Sequence, residues 1–166
     1  FSIRHYGSKE FYERLKNIII SFENMVKKGK IREYGMATWE AFQLEETDRQ
    51  YISLEKVMEV VESVTTKHHF KHLMLPINIE NRACVEYKNQ NYKKSKLSIV
   101  ECANKYNLDV HVSGSLGQGK ANDYVTVKKY LEYLVNESKC RSYFIGSKNI
   151  EHLRSNIKVI QNLLDK

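Results

Sequence analysis

Apolar residues in this chain switch repeatedly between helical and strand spacing, and that alternation restricts its fold more than any other feature. Phe11, Leu15, Ile18, Phe22 and Met25 follow the i, i+4, i+7 rule of an amphipathic helix. Gly29 should end it, with Lys27 and Lys28 in a last turn that suits cations. Residues 30–39 predict a short strand entering a glycine turn. Ser53 is a candidate N-cap for a second helix, with Leu54, Val57, Val61 and Val64 inward. An apolar run over 70–78 predicts a buried strand, and 81–92 a polar loop. A third helix is predicted over 94–107, stopped by Asn107, and then a strand over 108–114. A Gly-bearing loop leads to a helix over about 125–136 and a fourth strand over 141–145. In the last helix, Ile150, Leu153, Ile157, Ile160 and Leu164 form one apolar stripe, expected to pack into the core. A helix followed by four β-α units implies a parallel sheet with helices outside it. An open doubly wound sheet and a piece of a (β/α)8 barrel both fit this order.

The totals narrow the class. A length of 166 residues suggests one domain, well short of the ~250 of a typical whole barrel. One proline and no low-complexity tract argue against disorder. No apolar run approaches the ~20 residues that span a bilayer, so no membrane partner is expected. The opening residues do not form a signal peptide, and the missing initiator Met implies a processed, fragmentary or incompletely represented chain. Cys84, Cys102 and Cys140 show no metal or disulfide spacing and read as reduced thiols of a cytoplasmic protein. The net charge of +7 is scattered rather than blocked. It permits an anionic ligand, but no basic-aromatic module for nucleic acid is present. His68, His69 and His72 lack the converging carboxylate or cysteine of a metal site, so none is expected.

Function in parallel α/β folds gathers at the C-terminal ends of strands. Those ends here read Gly35-Met36-Ala37-Thr38-Trp39, Pro76-Ile77-Asn78, Ser113 to Gly119, and Gly146-Ser147-Lys148. Glycine lets backbone N–H groups approach a phosphate, and a helix N-terminus adds donors and a positive dipole end. Lys148 adds charge, and His152 and Asn156 follow one turn apart on one predicted helix face. The geometry suits an anion; turn chemistry alone also accounts for Gly-Ser-Lys.

Four stretches in order resemble aldo-keto reductases. GKIREYGMATWEAF resembles the family's fifth strand, and HHFKHLMLPINIENR resembles strand six of a bacterial-type subgroup. VSGSLGQGK resembles the loop after strand seven, and GSKNIEHLRSNI the signature after strand eight. The resemblance implies an α/β fold in which parallel (β/α) units form about half of a TIM-type (β/α)8 barrel, the half holding most of the NADP(H) site. It implies that Ser147 meets the 2′-phosphate region with Lys148 beside it. His152 would take a place often held by a phosphate-facing Arg, and Asn156 would reach the adenine edge. Leu116 and Gly117 would lie along the pyrophosphate.

The same resemblance exposes departures. The positions that usually contact the nicotinamide carboxamide are Ala37, Thr38 and Met74, and the position of the stacking Tyr is Ser113. The Glu that usually precedes the adenine-contacting Asn is Ser155. The family's catalytic Tyr, Lys and Asp belong to its other half. Only His5 matches a catalytic position, a His at the end of strand four. The implied activity is NADPH-dependent reduction of an aldehyde or ketone, with the acid supplied from outside this sequence. The alternative is a non-catalytic half-barrel that binds or scaffolds. Both imply self-association or a protein supplying the other half.

Overall fold

The computed structural model describes residues 3–140 and 142–165. Helix α1 covers Ile3–Lys27 and leads to strand β1, Tyr34–Ala37. Helix α2, Leu54–Val64, precedes β2, Phe70–Pro76. A short helix α3, Ala83–Glu86, and a hairpin of β3, Gln90–Tyr92, and β4, Ser95–Leu97, come next. Helix α4, Ile99–Lys105, then precedes β5, Asp109–Ser113. Helix α5, Tyr124–Asn136, β6, Ser142–Tyr143, and α6, Ile150–Leu164, complete the chain.

The caps explain why the helices start where they do. The Ser53 hydroxyl accepts from the Lys56 N–H at the head of α2. Ser98 and Glu101 form a reciprocal capping box at α4. Asp123 caps α5 and Asn149 caps α6.

Four strands form one sheet in the order β1-β2-β5-β6, every pair parallel. Sequential order without reversal is single winding, and right-handed crossovers then set the connecting helices on one face. The helices pack in that sense, α1 on α2, α2 on α4, and α5 on α6. Leu73 and Leu75 of β2 and Val110 and Val112 of β5 point into this layer and are buried. The alternate residues His72, Met74, His111 and Ser113 are half-buried, Asp109 is exposed, and Phe144 is 53% exposed. Phe70 and Pro76, at the same alternate positions of β2, are buried, so this face is partly open rather than sealed like the helix-covered one. All-parallel sheets are ordinarily covered on both sides.

β1 and β2 approach unusually closely where their register shifts. A Cβ on Gly35 would fall 1.9 Å from the His72 carbonyl oxygen, so only glycine fits. Below that point the Glu23 carboxylate of α1 is buried. It accepts from the Tyr34 hydroxyl at 2.8 Å and the His69 backbone N–H at 2.8 Å, with the His69 ring Nδ1 at 2.9 Å. Burial alone would push its pKa up; the His69 N–H, the His69 ring and the Tyr34 hydroxyl outweigh it and hold the carboxyl below its usual range. A second polar brace is Gln90. Its amide donates to the carbonyls of Phe42 and Ile52 and accepts from the Leu54 N–H, fixing the segment between β1 and α2 to the hairpin.

Several expectations need correction. Residues 81–92 are not a plain polar loop but carry α3 and β3, and the first part of 94–107 is β4. The inserted hairpin therefore interrupts the simple β-α order. Met25 lies outside the inward stripe of α1, where Ile19 and Glu23 take its place. The stripe on α6 is core only in part: Ile160 packs against the core and Leu153 is half-buried, but Ile150, Ile157 and Leu164 are 59%, 47% and 69% exposed. The buried face of α6 is instead marked by Asn156 and Val159. β6 is shorter than expected, and Arg141 and the first two residues lie outside the described residues.

Candidate functional site

The four motif-bearing turns all follow their strands, so they share the C-terminal rim of the parallel sheet. Between the turns after β1, β2 and β5 lies a cleft of about 200 Å³. Trp39, Asn78, Gly114, Gly117 and Lys120 line it. The Trp39 indole rests over Gly114, close enough to touch a Cβ placed there, and is 54% exposed. Asn78 joins two turns, donating to the Gly114 carbonyl at 3.0 Å and accepting from the N–H groups of Glu80 and Asn81. The Lys120 ammonium pairs with Glu80 at 2.5 Å and, with the Tyr130 hydroxyl next, holds that carboxyl below its usual pKa range.

The loop after β5 is shaped by positive φ at Gly114, Gly117, Gln118 and Gly119. Gly117 is doubly required, with φ 64° and with a Cβ position 2.8 Å from the Tyr130 hydroxyl. Gly117 is buried against Tyr130, and Leu116 is half-buried. Ser113 is half-buried at the end of β5. Thr38 uses its hydroxyl to accept from the Ala41 N–H, and it lines a different, largely apolar groove of about 580 Å³ between α1 and β1.

At the head of α6 the expected residues separate. Lys148 and His152 are exposed. The Ser147 hydroxyl is committed to its own turn, donating to the Asn149 carbonyl at 2.8 Å and accepting the Asn149 N–H. Asn156 is buried at 7% exposure, so it does not share a solvent face with His152. The expectation of a common face fails because α6 turns its 156/159 edge most deeply into the body and leaves the His152 side in solvent. His5 also departs from expectation. It is exposed in the first turn of α1, before the break at Gly7, and not at the end of a strand.

The rim therefore offers a ligand separate groups rather than one assembled set. Lys148 and His152 offer exposed polar and basic groups beside the helix head, and Trp39 offers a flat surface beside the glycine loop. Ala37 and Met74 add no side-chain hydrogen bond. Among the described residues no group of three His, Cys, Asp or Glu is arranged to hold a metal ion. The three thiols are free and buried, and burial raises their pKa, to about 12 for Cys84 and Cys102 and about 11 for Cys140. As neutral thiols they are poor nucleophiles.

No motif singled out the polar residues that the sheet brings together on its more open face, His72, His111 and Ser142. The signal available was period two: each sits at an alternate position of its strand.

No protein-family model matches the chain, and no curated protein and no solved structure matches it.

Proposed function

We propose that this chain is about half of a TIM-type (β/α)8 barrel of aldo-keto reductase kind, holding NADP(H) along the C-terminal rim of its sheet. It would serve reduction of an aldehyde or ketone once a general acid is supplied from outside this sequence. One observation carries the reading: four motifs that resemble that family all fall at the same end of a singly wound parallel sheet. Lys148 would pair with the 2′-phosphate, and the glycine loop after β5 would let backbone approach the pyrophosphate. NADP(H), when bound, supplies the hydride; the chain's residues bind and orient it.

Titrating NADPH while following Trp39 fluorescence tests this, because Trp39 is the one tryptophan and lies on the rim. Binding should quench it. Lys148→Glu should weaken NADPH by roughly 10- to 100-fold, about 1.4–3 kcal/mol, while NADH changes little. Equal weakening of both nucleotides refutes the phosphate contact.

The second reading is a non-catalytic half-barrel that binds or scaffolds. It is favoured by the buried Asn156 and by the uncovered apolar surface of Phe144, Ile150, Ile157 and Leu164. Under either reading β1 and β6 are sheet edges that pair with a second copy or with a protein supplying the other half. A compact monomer in sedimentation at micromolar concentration would argue against that partner.

A further inference from the structure

Ser142, His111, His72 and Glu33 form a continuous chain of hydrogen-bonding contacts across the more open face of the sheet. The register makes this possible: β2 and β5 align His72 beside Asp109, two residues before His111, and β5 and β6 align His111 beside Ser142. His111 Nδ1 lies 3.0 Å from Ser142 Oγ, and His111 Nε2 lies 3.0 Å from His72 Nδ1. His72 Nε2 in turn lies 3.1 Å from Glu33 Oε2.

The proton positions follow from the donor and acceptor inventory. A carboxylate only accepts, so His72 Nε2 must carry the hydrogen that faces Glu33. With His72 neutral, its Nδ1 accepts, so His111 Nε2 carries the next hydrogen. With His111 neutral, its Nδ1 accepts, and the Ser142 hydroxyl donates to it. Reversing any link would leave two donors or two acceptors facing each other. Asp109 Oδ2 is 3.9 Å from His72 Nδ1, beyond hydrogen-bond reach, and leaves the order unchanged.

A hydroxyl donating to an imidazole that is itself oriented by a further acceptor is the signature of an activated nucleophile. Access is present as well. Ser142 and His111 line a cleft of about 510 Å³, with Asn104, Asn107 and Lys139 among its other walls. It opens at the strand ends opposite the proposed nucleotide rim, so it stands apart from that reading.

We propose that Ser142 is a nucleophile for a small acyl ester, with His111 its general base and His72 and Glu33 positioning residues. Ser142 Oγ would bond to the acyl carbon while its proton passes to His111 Nδ1. The leaving alkoxide takes that proton and departs as the alcohol. Water, activated by the same imidazole, then hydrolyses the acyl-serine to the carboxylic acid and restores the hydroxyl.

A fluorophosphonate probe tests the step directly, because attack at phosphorus expels fluoride and leaves a stable serine adduct. The purified full chain should gain one adduct, mapped to Ser142 by peptide mass spectrometry. His111→Ala should slow labelling by about 10²-fold or more. His72→Asn should slow it too, with loss of the downfield imidazole N–H resonances expected of the bonded rings. No adduct on protein with native circular dichroism, or an adduct mapped to another residue, overturns the proposal. Mapping on the unaltered chain keeps the test decisive even if Ser142→Ala fails to fold.

Discussion

Two histidine–carboxylate pairs lie three residues apart on and before β2, yet they do different physical work. At His69 the carboxylate is Glu23, whose side chain is 6% exposed. Its oxygens are taken by a tyrosine hydroxyl, a backbone N–H and an imidazole. At His72 the carboxylate is Glu33, 51% exposed and bound to little besides the ring. Burial and saturation turn the first pair into a brace that ties α1, β1 and β2 together. In the second, the far ring nitrogen stays available and passes its polarity to His111 and Ser142. The same two residue types thus give rigidity where the carboxylate is enclosed and a directional chain where it is open.

The most severe way to test that contrast is Glu23→Gln. A Gln oxygen can still accept from the Tyr34 hydroxyl and the His69 N–H, but the substitution removes the enclosed negative charge and sets an NH2 where an accepting oxygen faced the His69 ring. The expected loss is roughly 3 kcal/mol, read as a lower urea midpoint at unchanged slope. A loss under about 0.5 kcal/mol, the scale of an exposed pair, would erase the distinction between the two sites.

Acid should act through the same group. The Glu23 carboxyl is held low in the folded state, so its contribution is present above the ordinary carboxylate value of about 4.3. That contribution is lost as pH falls below this value and through the lower folded one. The urea midpoint of the native chain should therefore fall on acidification below about pH 4 more steeply than that of Glu23→Gln. Parallel curves would show that Glu23 does not change its proton affinity on folding.

Much of the scaffold was legible in the sequence because periodicity and caps act locally. Ser53 and the Leu54, Val57, Val61 face of α2 lie where the spacing put them. The strand at Phe70 was visible from its unbroken apolar run. The hairpin at Gln90 was not, because its polar surface hides a buried amide whose partners, Phe42 and Ile52, are far away in sequence. The α6 stripe misled for a related reason. Its heptad spacing marks an apolar face, but spacing cannot say whether that face meets the chain's own core, and here Ile150, Ile157 and Leu164 lie exposed. The rim followed from strand ends and was readable. The sheet-face chain was not, since His72, His111 and Ser142 meet only through strand register.

The mildest substitution sharpens the comparison from the other side. Glu33→Gln keeps the shape at an exposed position, so stability should change by less than about 0.5 kcal/mol. Its effect belongs to proton placement instead. A Gln amide can present either an oxygen or an NH2 to His72 Nε2, so the hydrogen is no longer forced onto that nitrogen. The tautomer of His72 then loses its anchor, and with it the order that makes Ser142 a donor. Nitrogen-15 chemical shifts of the two imidazoles, which separate protonated from unprotonated ring nitrogens, should report a fixed tautomer in the native chain and a mixture in Glu33→Gln. An unchanged tautomer with Gln at position 33 would mean that Asp109 or solvent, rather than Glu33, sets the direction of the chain.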